Sequence, residues 1–196
     1  MAAAPARARF GATTILQQAL ACTFFAALVA VFARIAIPLP FTPVPFSLQP
    51  LAIMLTGMFL GSGPAFVALL EYLVAGALGA PVFAGGNGGW GYLMLAATPA
   101  RPTLGYLLSY PIAAYAIGYI AERGRSNFLR LLGAGLAGLA IIYAGGYAHI
   151  YYLRGDAIQA FFWAVAWFIA FDVIKAAIAA GVASTTAGSW FAWRKR

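Results

Sequence analysis

Asp172 and Lys175 stand three residues apart in a stretch otherwise built of small, aliphatic and aromatic residues. Each charge placed in such a stretch costs roughly 2.5–3.5 kcal/mol on bilayer insertion, so each needs a reason. Residues three apart share one helix face. That face also carries Val165, Phe168, Ile169, Ala176 and Ala179. Two readings are open. In one, the pair neutralises itself and locks its helix to a neighbour. In the other, it forms the polar floor of an apolar pocket. Such a floor sets an acceptor beside a donor, which suits a neutral ligand with adjacent N–H and C=O groups.

The other chemically capable residues point to less. Glu71 and Arg34 read as a structural pair or as side chains reaching for the interface. His149 has no Cys, Asp or Glu at ligand spacing and reads as a packing or interfacial residue, so no metal is expected. Gly85-Gly86-Asn87-Gly88-Gly89 has no strand before it and no Lys-Ser/Thr after it, which argues against a phosphate loop. Ser62, Ser109 and Ser184 lack a nearby base, so catalysis has no visible machinery and the chain reads as a binding protein rather than an enzyme. Cys22 is the single cysteine, which excludes an internal disulfide.

These residues need elements to hold them. The chain has 196 residues, 64% of them hydrophobic and 8% charged, with a mean hydropathy of +0.89. Soluble domains carry roughly 25% charged residues; here hydrocarbon must replace water. The expected fold is all-α: one polytopic membrane domain over 1–196, a compact bundle of six helices. The spans fall at about 14–37, 48–60, 65–78, 103–121, 128–153 and 158–190. The first run has no convincing cleavage site and reads as a retained helix. Pro38, Pro40, Pro43 and Pro45 forbid a helix after it and predict an irregular loop. The stretch from Gly79 to Pro102 predicts a long loop with a short helical turn around Tyr92 to Ala97.

The net charge of +8 does not point to nucleic acid, because the basic residues sit at the ends of apolar runs rather than in a patch. With six spans and the N-terminus inside, Arg7, Arg9, Arg123, Arg125, Arg130, Arg194, Lys195 and Arg196 fall on the cytoplasmic side. Arg101 and Arg154 fall opposite. Both termini are then cytoplasmic. Tyr147, Tyr151, Tyr152, Trp190 and Trp193 read as interfacial belts. On the first helix, Ala26 and Ala30 lie four apart. Small residues at that spacing admit close helix approach, either inside the bundle or from a docking partner.

Three stretches together resemble a known family. Phe41-Thr42-Pro43-Val44-Pro45-Phe46-Ser47-Leu48-Gln49-Pro50, Leu60-Gly61-Ser62 and Gly79-Ala80-Pro81-Val82-Phe83-Ala84-Gly85-Gly86 are similar to the BioY family. These are biotin-specific substrate-capture (S) components of energy-coupling factor (ECF) transporters. Pro102-Thr103-Leu104-Gly105-Tyr106-Leu107 resembles the family's Gly-Pro-Thr-Gly-Gly-Tyr-Leu motif, and Asp172-Val173-Ile174-Lys175 its last-helix Asp-x-x-Lys. The resemblance runs in order from about Ala19 to Ala183.

It implies a six-helix bundle in the cytoplasmic membrane that binds biotin at its extracellular side. It also implies partners: a transmembrane coupling protein and two cytoplasmic ATPases, this chain having no ATP-binding motif. Asp172 and Lys175 match ureido-binding positions. Asn87, Gln49 and Tyr106 fall at positions expected to line the site, and Ala26 and Ala30 match the docking surface for the coupling protein. Arg101 and Leu104 replace motif glycines, and the Gly-rich loop is longer than usual. Arg101 either reaches the valerate carboxylate as a bidentate partner or is a solvated loop charge. The rival functions are an S component for another vitamin and an intramembrane enzyme.

Overall fold

The computed structural model describes residues 12–123 and 127–194, with side chains over 15–123 and 127–186. Helix α1 (Ala12–Arg34) is followed by β1 (Ala36–Leu39) and β2 (Thr42–Ser47), then α2 (Gln49–Leu60) and α3 (Ser62–Ala77). A short α4 (Gly89–Ala96) interrupts the Gly-rich stretch before α5 (Leu104–Glu122) and α6 (Phe128–Arg154). The chain ends with α7 (Ala157–Phe161), a π-helical turn (Phe162–Ala166) and α8 (Ile169–Arg194).

Among the described residues, four segments are long and apolar enough to cross a membrane: Ile15–Arg34, Leu104–Glu122, Phe128–Arg154 and Ala157–Thr186. Helices α2 and α3 have 12 and 16 residues. At 1.5 Å per residue they reach about 18 and 24 Å, short of a hydrocarbon core of roughly 30 Å. Helix α2 is enclosed by the bundle, while α3 keeps an apolar outer face at Phe66, Val67, Leu70 and Val74. Among the described residues, the exterior carries Leu16, Leu20, Phe24, Val31, Leu108 and Ile112 exposed, a surface suited to lipid rather than water.

The Pro-rich segment is not irregular. β1 and β2 pair antiparallel, Ala36 opposite Ser47, Ile37 opposite Phe46 and Leu39 opposite Thr42. Proline lacks only the donor, and a two-stranded ribbon has outer edges where no donor is needed. The purely helical expectation is corrected to that extent. The first helix accordingly stops at Arg34, not at 37. Helix α3 starts at Ser62 rather than 65, because Pro64 sits in the first turn, where its missing N–H has no partner to lose. The orphan donors there are met from α5: Glu122 Oε1 accepts from the Ser62 backbone N–H at 2.6 Å.

Helix α5 is the centre of the packing, in contact with α2, α3 and α6. Ile117 fills the space left by Gly57 on one side and Gly138 on the other. The last span is broken where a continuous helix over 158–190 was expected. Asp156 caps α7 by accepting from the Ile158 and Gln159 N–H groups, both at 2.9 Å, and the π turn follows at once. Of the topology residues, Arg7, Arg9, Arg125, Lys195 and Arg196 lie outside the described residues, as do the side chains of Arg194, Trp190 and Trp193. Arg123 stacks over the Tyr119 ring, and Arg130 Nε donates to the Ile120 carbonyl at 2.7 Å.

Candidate functional site

Asp172 and Lys175 lie in the first two turns of α8 and are 3% and 5% exposed. Lys175 Nζ donates to Asp172 Oδ1 at 2.6 Å. It also donates to the Ser47 carbonyl at the end of β2, 2.6 Å away, and lies 4.0 Å from the centre of the Phe46 ring. The other carboxylate oxygen, Oδ2, accepts from the Tyr143 hydroxyl of α6 at 2.6 Å. Buried charges are tolerated only when paired and hydrogen-bonded, and this pair is both. It therefore does what the structural reading required, tying α8 to α6 and to the hairpin.

It also lines a cavity, as the other reading required. A carboxylate offers about four lone-pair sites and an ammonium three N–H groups. The partners above use two of each, so both groups keep capacity for a ligand. The walls are apolar and aromatic, with Val44, Tyr92, Tyr106, Tyr110, Ile142 and Phe168 around the floor. Tyr106 is held at both ends. Its hydroxyl donates to the Ala164 carbonyl at 2.9 Å, and its ring occupies the space that a side chain at Gly146 would need. Gln49 lines the cavity too, with Nε2 committed to the Tyr72 hydroxyl at 2.8 Å.

The π turn connects these parts. Widening the helix moves carbonyls out of the regular i→i−4 ladder. Ala164 then serves Tyr106 of α5, and the Trp163 carbonyl accepts from Thr42 Oγ1 of the hairpin at 3.1 Å. Hairpin, α5 and the last span are thereby bound together around the cavity.

A second, roomier chamber adjoins the first and shares Pro45 and Ala84 with it. Asn87 and Arg101 line this outer chamber, not the inner one. Asn87 is exposed, and its Nδ2 donates to the Ala84 carbonyl at 2.6 Å, closing its own loop. Arg101 places its guanidinium 5.5 Å from the centre of the Tyr92 ring, which belongs to the wall of the inner chamber. The six expected site residues thus divide: Asp172, Lys175, Gln49 and Tyr106 come together, while Asn87 and Arg101 stand outside.

The remaining candidates line neither chamber. Arg34 Nη2 donates to the Pro81 carbonyl at 3.0 Å, while Glu71 accepts from Thr23 Oγ1 at 2.8 Å. Of the two readings for Arg34 and Glu71, mutual pairing is not seen, each side chain having a separate partner. His149 is half-buried beside Gly105, and no group of His, Cys, Asp and Glu suited to a metal occurs among the described residues. Ala26 is buried in the core and Ala30 half-buried against it. Sequence reasoning missed Tyr143, Ser47 and Phe46. The only signal for Tyr143 was that a buried carboxylate needs a donor on its second oxygen, which does not say which helix supplies it.

A family model described as the BioY family matches residues 5–190. The chain is 37% identical to the biotin transporter BioY of Thermotoga maritima, over 86% of this chain and 94% of that one. It is 34% identical to the biotin transporter BioY of Rhizobium etli, over 82% and 87%. The fold is similar to the crystal structure of an S-component for biotin from an ECF-type ABC transporter. That likeness has a TM-score of 0.79 at 21% identity and covers 92% of this chain and 95% of the other.

Proposed function

The chain belongs to the BioY family, and from that premise we propose that it captures biotin for uptake as the substrate-specific subunit of an ECF-type transporter. The observation that carries the reading is the Asp172–Lys175 pair on the floor of an aromatic cavity. Biotin presents two N–H donors beside a carbonyl on its ureido ring. Asp172 accepts from the donors, Lys175 donates to the carbonyl, and the Tyr and Phe walls take the apolar bicycle. Gln49 and Tyr106 shape the same chamber. In this reading Arg101 meets the valerate carboxylate, and its position in the outer chamber beside Tyr92 supports that role, with Asn87 in the same chamber.

The proposal extends to the setting. Six spans are counted when α2 and α3 are included, with both termini on the cytoplasmic side of the cell membrane and the cavity opening outward. The distribution of arginine and lysine supports that orientation. A transmembrane coupling protein and two cytoplasmic ATPases supply the energy, the coupling protein docking on α1 around Ala30, with Ala26 beneath it. No cofactor or catalytic group enters the scheme.

Titration of purified protein with biotin, thiamine and riboflavin by calorimetry tests the reading. Biotin is expected to bind far more tightly than the other two. A preference for thiamine or riboflavin would make the chain an S component for another vitamin, and no binding to any of the three would sink the proposal.

A further inference from the structure

Thr103 closes the turn into α5, its N–H donating to the Ala96 and Arg101 carbonyls at 3.0 and 2.7 Å. Its side chain lines the inner chamber. Its hydroxyl is buried and has no hydrogen-bond partner, a condition shared among the described residues only by His149 Nδ1. An orphaned buried hydroxyl costs about 1–3 kcal/mol. Ser47, Gln49, Tyr106, Tyr143, Asp172 and Lys175 around the same chamber all have partners. Thr103 is therefore a polar group in the cavity that the fold leaves unmet.

Its position relative to the charged floor follows from how α5 meets α6. A side chain on Gly105 would collide with the Gly145 carbonyl and with Cβ of His149, so Gly105 stands against the stretch of α6 between those two residues. Thr103 lies beyond it toward Arg101, and Tyr143, which holds Asp172, lies two residues beyond Gly145 in the opposite direction. At least four residues of helical rise, about 6 Å, separate the two levels. Thr103 is thus at the end of the chamber away from the floor, two residues along the chain from Arg101.

We infer that Thr103 is a ligand-binding residue whose hydroxyl donates a hydrogen bond to the carboxylate of the bound acid, opposite the end held by Asp172 and Lys175. The inference rests on the biotin reading and names the group that recognises the far end of the ligand. Thr103→Val keeps the shape and removes the hydroxyl, while Thr103→Ser keeps the hydroxyl. The experiment measures Kd for biotin and for biotinamide in wild type and both variants, with melting of the ligand-free proteins alongside.

Thr103→Val is expected to weaken biotin about tenfold, as the loss of one hydrogen bond to a charged group does. Biotinamide should weaken no more than about threefold, and Thr103→Ser should bind both ligands within about twofold of wild type. Ligand-free Thr103→Val should melt no lower than wild type, since nothing in the folded chain bonds this hydroxyl. Unchanged biotin affinity in Thr103→Val would overturn the inference, and so would equal losses for acid and amide, which would place the hydroxyl against another part of the ligand. Failure of wild type to bind biotin would instead overturn the ligand reading, and the role of Thr103 with it.

Discussion

At the scale of single residues, the floor works because every charge has a partner and some capacity is left over. Removing Asp172 leaves the Lys175 ammonium buried with the Ser47 carbonyl and the Phe46 ring and no counter-charge. Asp172→Ala should weaken biotin by at least about 2–3 kcal/mol, read by calorimetry, and Asp172→Asn should be milder. Normal binding by a folded Asp172→Ala protein would make the pair purely structural. Tyr143 tests a different point, because it lines the same chamber but has its hydroxyl committed to Asp172. Tyr143→Phe should reduce biotin affinity by roughly tenfold through a misplaced carboxylate, one hydrogen bond to a charged group being the interaction removed. An unchanged Kd would mean that Lys175 alone orients the carboxylate. The Asp172–Lys175 pair was legible in the sequence because charges in an apolar helix at i, i+3 spacing are rare. Tyr143 was not, since 29 residues separate it from Asp172 and pairing between helices leaves no local periodicity. Thr103 was visible only as part of a motif, and being unpartnered is a property of the fold.

At the scale of elements, helices α1, α5 and α6 were legible from apolar runs and their boundaries, within a few residues. The hairpin and the π turn were not. The two strands are neighbours in sequence, joined by a two-residue turn, but four prolines conceal the alternation that would announce them. A π turn is one extra residue in a helical circuit and leaves the hydropathy of the span unchanged. Both matter because they set the cavity wall. Tyr106 fits between α5 and α6 only because Gly146 has no side chain; a Cβ there would stand 2.1 Å from the ring's Cζ. Gly146→Ala should therefore push the ring out of register with the Ala164 carbonyl, lower the melting temperature by an amount matching about 1–3 kcal/mol of overpacking, and weaken biotin. A variant that melts and binds as wild type does would show that Tyr106 has room to move and takes no part in holding the wall. Thr42→Val removes the bond from hairpin to π turn, together with the acceptor for the Val44 N–H, while leaving the Asp172–Lys175 pair untouched. It should accelerate biotin dissociation more than it lowers the melting temperature, measured by stopped-flow and thermal scans. Loss of stability without a change in dissociation would make that bond a fold contact only.

At the scale of the whole molecule, the chain turns apolar side chains outward and keeps its few buried charges around one cavity. That distribution made membrane residence readable from composition alone, whereas the placement of the two short helices required coordinates. In the proposed transporter the power source lies outside the chain, so the coupling protein must recognise some part of the apolar outer surface. On helix α1 the small residues Ala26 and Ala30 lie four apart, and there the structure separates two positions that share one spacing. Ala26 is buried in the core, while Ala30 is half-buried at its edge. Close helix approach depends on having nothing larger than a methyl at the contact. Ala30→Trp should therefore abolish co-purification with the coupling protein and biotin uptake, while biotin affinity of the isolated protein stays near wild type. Ala26→Trp must instead force a large ring into a filled interior, and should lower stability and biotin binding along with assembly. The split between the two variants is the informative outcome. If Ala30→Trp also loses biotin binding, the stripe packs the bundle internally. If Ala30→Trp assembles and transports normally, the coupling protein docks on another face.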